Sequence, residues 1–410
     1  MSDQDFIARC HPETRAIRAG LERSPNAETS EALFMNSGFV FDSAEQADAA
    51  FSGDIQRYLY GRYANPTVTM LEERLLGLEK ADICRATASG MAAIFAALAC
   101  SVEAGDRVVA GSTLFGSSLH ILNKILPKWG IEVDLVPPSD LDAWAEALSR
   151  PAKIVFVETP TNPTLDIIDL RALADLSHKA GARLVVDNVV ATPVLQRPLE
   201  LGADVIVYST TKHMDGQGRT LGGAVLCDAE FDKDFLQPFL RHTGPALSPF
   251  NAWTVLKGLE TLALRVHQQS RSAQFLAENL EALPNVTRVA YPGLKSNPGH
   301  EVAKAQMDGE FGTVLSVEVA GGRPAAFAFL NALKLVDLSN NLGDTKSLSC
   351  HPCTTTHRVL APEEREAAGI TEGLVRVSVG LEHRDDLWTD LKQAAEAAAE
   401  AAAEVGKRAA

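Results

Sequence analysis

The stretch Ala203–Gly223, ADVIVYSTTKHMDGQGRTLGG, decides the fold. Val205–Tyr208 is a short, wholly apolar run, the pattern of a strand buried on both faces. It passes straight into Ser209, Thr210, Thr211, Lys212 and His213, and then into Gly216, Gly218, Gly222 and Gly223. A lysine and three hydroxyls just past a strand end stand where ligands bind in an open α/β sheet. Working outward, similar runs lie at Arg107–Ala110, Glu132–Val136, Ile154–Val157, Leu184–Val186 and Gly223–Leu226. Helical patterns at Gly90–Cys100, Leu119–Trp129 and Leu170–Ala180 fall between them. That alternation predicts an α/β fold with a mostly parallel sheet.

Beyond Pro249 the pattern changes. Phe250–Leu283 reads as one long helix without an internal proline. Strands at Val286–Ala290, Thr313–Val319 and Val375–Val379, with a helix at Pro324–Leu333, predict a smaller α+β region. The first sixty residues read as an irregular arm, dense in aromatics and cations over Tyr58–Tyr63. The alanine-rich tail from Leu387 reads as a surface helix that frays at Ala410. The expected domains are an arm (1–65), an α/β domain (66–260) and a C-terminal α+β domain (261–410).

With 410 residues, the chain is long enough for two or three domains and a large core. A formal charge of −15 argues against a nucleic-acid or anionic-membrane surface, which needs a basic patch. No segment reaches the roughly 18 apolar residues of a bilayer span. The polar start, Met1 to Asp5, has no signal-peptide pattern, so a cytoplasmic location is expected. Six cysteines in 410 residues are not a disulfide framework.

Three features carry chemistry. Lys212 beside Ser209, Thr210 and Thr211 suits a Schiff base to a phosphorylated aldehyde, because a partly desolvated lysine gives up its proton more easily. Taken alone, it reads first as an exposed loop lysine. Asp187 ends the run Arg183–Val186, where a carboxylate can pair with a pyridinium nitrogen or simply cap a turn. Ser89 and Gly90 open a helix whose first amides can bind phosphate or be an ordinary helix start. No G-x-x-x-x-G-K-[ST] loop is present, and Gly216, Gly218 and Gly222 miss the G-x-G-x-x-G spacing by one residue. Together the three request an aldehyde cofactor with a phosphate and a ring nitrogen, which is pyridoxal 5'-phosphate.

The motifs extend this reading. Tyr208-Ser-Thr-Thr-Lys212-His213 with Gly222-Gly223 resembles the Cys/Met-metabolism pyridoxal-phosphate enzymes of fold type I. So do Tyr60-Gly61-Arg62, Asn65-Pro66-Thr67, Ser89-Gly90-Met91, Glu158–Pro163, Val186-Asp187-Asn188 and Leu374–Gly380. The resemblance is collinear over nearly the whole chain. It implies a seven-stranded-type sheet with helices on both faces. It also implies that Lys212 is the Schiff-base lysine and proton shuttle and that Asp187 partners the ring nitrogen. Gly90, Met91, Ser209 and Thr211 become phosphate contacts. Tyr60 and Arg62 become contacts given to a neighbouring subunit, with Tyr60 also near substrate, in a homotetramer built of two active dimers. Asn162 becomes a cofactor or substrate contact, Arg376 the clamp on the substrate α-carboxylate, and Asn341 a neighbour of that carboxylate. A bidentate guanidinium suits the clamp better than a lysine.

Within the family, Asp215–Arg219, Asn340–Asp344 and Glu28–Leu33 resemble the branch acting on acyl-homoserines. That implies γ-replacement: O-succinyl-L-homoserine and hydrogen sulfide give L-homocysteine and succinate. Cystathionine γ-synthase, O-acetylhomoserine sulfhydrylase and methionine γ-lyase activities are the alternatives. Phe115 stands where many relatives place a tyrosine over the cofactor ring. It can stack but cannot move a proton. Expelling a thiolate needs a donor, since a thiol's pKa is about 8.5, whereas a carboxylate leaves unaided, with a pKa of about 4. Phe115 thus favours an acyl leaving group. Cys350, His351, Cys353 and His357 superficially resemble zinc spacing, but no metal is expected. Arg219 and Arg241 are either contacts for a distal carboxylate or plain surface cations.

Overall fold

The computed structural model describes residues 3–358 and 360–409; Ala410, where the tail was expected to fray, lies outside them. Seven strands form the larger sheet: β1 (Ile83–Thr87), β2 (Arg107–Gly111), β3 (Glu132–Val136), β4 (Ile154–Glu158), β5 (Arg183–Asp187), β6 (Val205–Tyr208) and β7 (Gly223–Cys227). Their order is β1-β7-β6-β5-β4-β2-β3. The pairs β2–β3, β2–β4 and β4–β5 are parallel, and β1–β7 is antiparallel. A second sheet holds β8 (Val286–Ala290), β9 (Val314–Val319), β10 (Asp337–Leu338), β11 (Leu348–Cys350) and β12 (Leu374–Ser378), in the order β10-β11-β12-β9-β8. The expected α/β class with a mostly parallel large sheet is therefore observed.

The chain divides into two compact units. The first comprises residues 1–101, 207–215 and 219–261; the second comprises 102–206, 216–218 and 262–410. In the first, Asn65 caps the helix Pro66–Glu79 by accepting from Thr67 N–H and Val68 N–H, with Pro66 preset at the first helical position. Ser89 caps Gly90–Ala99 by accepting from Ala92 N–H. In the second unit, β2 and β4 are buried at every residue, which is why they read as continuous apolar runs. Val109, Trp144, Val155, Leu173 and Val186 make one core there. Leu276, Val317, Phe329, Val377 and Leu391 make another, between the second sheet and the helices Leu262–Glu281, Gly322–Ala332 and Arg384–Ala409. Side chains alternate across a strand. With Val317, Val375 and Val377 in that core, Arg376 and its register partners Ser316 and Cys350 face the other way. On that face Ser316 Oγ donates to the Pro163 carbonyl at 2.7 Å, which brings the second sheet against the segment after β4.

Several elements differ from expectation. The helix foreseen at Leu119–Trp129 is an α-turn at Gly116–His120, a π-turn at Ile121–Ile125 and a 3₁₀ turn at Leu126–Trp129. Pro127 has no N–H to continue an α-helical ladder. Phe250–Leu283 is two helices, Pro249–Leu259 and Leu262–Glu281, because Thr261 N–H turns back to the Gly258 carbonyl. Strand β1 went unread because Arg85 interrupts its apolar pattern; its guanidinium is paired with Asp232. The first sixty residues, expected to be irregular, carry short helices at Asp3–Ile7, Pro12–Arg18 and Ala44–Ser52. Among the described residues no helix is long and apolar enough to cross a membrane. None of the six cysteines, all of them among the described residues, is joined in a disulfide.

Candidate active site

In the first unit, β6 ends at the buried Tyr208, whose hydroxyl donates to Glu79. The chain then turns, with Lys212 N–H donating to the Ser209 carbonyl at 3.2 Å, and Lys212 is left half-buried. Thr211 Oγ1 accepts from Gly222 N–H at 3.1 Å and donates to the Gly222 carbonyl at 3.2 Å. The start of the helix Gly90–Ala99 lies against this turn. A Cβ on Gly90 would come within 2.5 Å of Ser209 Cβ, and one on Gly223 within 2.3 Å of the Ser89 carbonyl oxygen. Only glycine permits that approach. It brings a helix N-terminus and the Ser209 hydroxyl to one place, a cradle suited to a phosphate.

Tyr60 and Arg62 also belong to this unit and are exposed. The Arg62 guanidinium lies 5.5 Å from the Tyr60 ring centre and 4.9 Å from that of Tyr63. Arg241 stacks on Tyr63 at 4.0 Å, and its carbonyl accepts from Arg62. The hydrogen bond from Arg241, with both positive charges nearby, holds the Tyr63 hydroxyl below its ordinary pKa. Arg219 is ion-paired with the buried Asp215 at 2.8 Å.

The second unit gathers the other expected residues. Asp187 ends β5, is 6% exposed and accepts from Val189 N–H at 3.1 Å. Its register partner on β4 is Glu158, 4% exposed. Glu158 Oε2 accepts from Phe115 N–H and Oε1 from Asn162 N–H, each at 3.0 Å. Burial pushes the Glu158 carboxyl well up from its ordinary range, and the adjacent Asp187 carboxylate adds to the shift. The segment after β4 carries cis peptides at Thr159–Pro160 and Asn162–Pro163. Asn162 Oδ1 accepts from Arg376 Nη1 at 3.0 Å. Arg376 Nη2 donates to the Asn340 and Asn341 carbonyls, both at 2.9 Å. The guanidinium is thus fixed, although Arg376 is only 1% exposed. Its Nε has no acceptor among the described residues, which leaves a charged donor available to an anionic ligand.

Sequence reasoning gave Glu158 and His357 no role at this site. His357 is 1% exposed. Burial, then the neighbouring Arg376 charge, push its pKa down to about 4, against the backbone of Leu114 and Asn162 that the ring faces. Glu158 had a legible signal: like Asp187, it is a carboxyl at the end of an apolar parallel strand. His357 had none, because its neighbours are distant in sequence. The residues with zinc-like spacing are engaged otherwise. His351 contacts Thr354 Oγ1 through Nδ1 and the Glu372 carbonyl through Nε2, and Cys353 Sγ donates to Glu372 Oε1 at 3.1 Å.

The residues present fit pyridoxal phosphate: a glycine-lined helix start with a hydroxyl for the phosphate, and a lysine for the aldehyde. The second unit, taken by itself, holds a buried carboxyl at a strand end, Asp187, and a buried arginine with an unused donor, Arg376. Comparisons agree. The family model described as Cys/Met metabolism PLP-dependent enzyme matches residues 13–396. The chain is 50% identical over 387 residues to an O-succinylhomoserine sulfhydrylase of Mycobacterium tuberculosis (strain CDC 1551 / Oshkosh), covering 93% of this chain and 95% of that protein. It is 48% identical to one of Pseudomonas aeruginosa, covering 94% and 95%. The crystal structure of cystathionine gamma synthase from Xanthomonas oryzae pv. oryzae, in complex with aminoacrylate and cysteine, superposes with a TM-score of 0.91 at 35% identity, covering 96% of this chain and 99% of that one. The chain belongs to the Cys/Met-metabolism family of pyridoxal-phosphate-dependent enzymes.

Proposed function

We propose that the chain replaces the acyl group of O-succinyl-L-homoserine with sulfide, giving L-homocysteine and succinate in methionine biosynthesis. The observation that carries this reading is the 50% identity, across 93% of the chain, to a protein of that name. Phe115 supports it on chemical grounds. The residue at that position has no hydroxyl, which suits a leaving carboxylate with a pKa of about 4 better than a thiolate.

When bound, pyridoxal phosphate supplies a ring that stabilises negative charge at the substrate's α-carbon. Lys212 Nζ would hold the cofactor through its aldehyde, and the same amine, when free, would take the substrate's Cα proton and then carry a Cβ proton. Asp187 keeps the ring nitrogen protonated, while Gly90, Met91, Ser209 and Thr211 hold the phosphate. Phe115 stacks on the ring. Arg376 clamps the α-carboxylate, with Asn162 and Asn341 orienting the guanidinium. The Cγ–O bond breaks and succinate leaves with the electron pair. Hydrosulfide sulfur then bonds to Cγ, and Lys212 returns the protons to carbon. No acid for the leaving group is needed.

In this reading residues 1–65 form the arm, 66–260 the cofactor-binding domain and 261–410 the C-terminal domain. Tyr60 and Arg62 reach the site of a neighbouring subunit in a cytoplasmic homotetramer built of two active dimers. The test is product analysis with cofactor-loaded protein. O-succinylhomoserine and O-acetylhomoserine are each supplied with sulfide or cysteine. Homocysteine, mainly from the succinyl ester and sulfide, is expected. Cystathionine as the main product would move the chain to the synthase branch, and 2-oxobutanoate from methionine to the lyase branch.

A further inference from the structure

Glu158 is an expensive residue where it stands. A buried carboxyl costs free energy unless its oxygens are well partnered, and this one lies across the register from a second buried carboxyl, Asp187. Its two oxygens are used on two different loops. Oε2 takes the N–H of Phe115 and Oε1 the N–H of Asn162, each at 3.0 Å. The Asn162 side chain in turn receives Arg376 Nη1 at 3.0 Å. A continuous set of hydrogen bonds therefore runs from the Phe115 backbone through Glu158 to Asn162 and on to the guanidinium.

We propose that Glu158 is a positioning residue that locks the Phe115 loop to the Asn162–Arg376 contact, so that the ring-stacking phenyl and the carboxylate clamp are held in one fixed relation. The proposal rests on the reading of Arg376 as the α-carboxylate clamp. Both groups must engage one amino acid at once, one at its ring-bound end and one at its carboxylate. Misplacement by an ångström lowers such paired binding steeply. A carboxyl group, neutral or ionised, can accept from two backbone N–H groups on separate oxygens. Glutamine has the same shape but only one acceptor oxygen, and its NH2 would face one of the two N–H groups.

The test uses the cofactor-loaded protein and two amines that cannot complete turnover. Glycine carries a carboxylate; methylamine does not. Binding of each is read from the visible absorbance of the cofactor. The wild type should prefer glycine, and Arg376→Ala should lose that preference. Glu158→Gln should weaken glycine binding by about tenfold and leave methylamine binding unchanged. The double variant Glu158→Gln/Asn162→Ala should bind glycine no more weakly than Asn162→Ala alone. Amide hydrogen exchange on the cofactor-free protein gives a second readout: Glu158→Gln should speed exchange over 112–118 and 159–165 together. An unchanged glycine preference in Glu158→Gln, multiplicative losses in the double variant, or faster exchange in only one or neither loop would overturn the proposal. Retention of the preference by Arg376→Ala would instead sink the clamp reading, and the positioning role with it.

Discussion

In the proposed reading, the absence of a hydroxyl on Phe115 bears on which leaving group the site can serve. Phe115 starts the turn Gly116–His120 and is half-buried, with its N–H held by Glu158. A tyrosine there would keep the stacking area and add a proton donor. Phe115→Tyr should therefore leave succinyl replacement within about threefold of wild type, while methionine cleavage rises by roughly tenfold or more, within the usual range of general acid–base effects. Steady-state rates with O-succinylhomoserine plus sulfide, and with methionine alone, check this. An unchanged methionine rate would show that the missing hydroxyl does not set the reaction. Arg376 differs from Phe115 in how far it could be read. Its identity as an arginine amid a buried strand was visible in the sequence. The three carbonyl and amide oxygens that fix it were not, since Asn162 lies on one loop and Asn340 and Asn341 on another, both far from Arg376 in sequence.

At the scale of elements, apolar runs buried on both faces were legible and mixed or very short ones were not. Strands β4 and β6 have no solvent face and so carry an unbroken pattern. Strands β10 and β11 have two and three residues, too few for any period to emerge. The turn Pro352–Thr354 and the residues after it form another element invisible to pattern reading, yet they deliver His357 to the loops of the site. Its docking has a pH signature. The His357 pKa falls from its ordinary 6.5 to about 4 on folding, so the unfolded chain takes up the proton first. Stability contributed by the neutral ring is full above pH 6.5, declines as pH falls, and loses nothing further below about 4. The whole loss is roughly 3 kcal/mol, of which roughly 1 kcal/mol appears between pH 7 and pH 5.5. The Glu372 carboxylate, held down to about 2 chiefly by its hydrogen bonds to Arg323, stays charged between pH 7 and pH 5.5 and adds no slope there. Urea unfolding of wild type and His357→Gln at the two pH values measures the effect. The variant should lack the His357 share of the slope, and equal slopes would refute it.

At the scale of the whole molecule, the collinear motifs made the family legible, because they lie at strand ends and helix starts where backbone geometry tolerates few alternatives. Assembly is less directly written, and it bears on Tyr60 and Arg62. These exposed residues sit on the arm side of the Pro66–Glu79 helix, with Arg62 over Tyr63 beside Arg241. If they serve a neighbouring subunit, Arg62→Ala and Lys212→Ala damage different chains of a shared site. Each variant alone should be nearly inactive. Mixed and reassembled in equal amounts, half of the dimers pair one variant with the other. One of the two sites in such a dimer then receives an intact Arg62 and an intact Lys212. About a quarter of all sites, and a similar share of wild-type activity, should return. If Arg62 acts within its own subunit, every site keeps one lesion and no activity returns. The mixing experiment therefore separates the two arrangements by whether activity reappears at all.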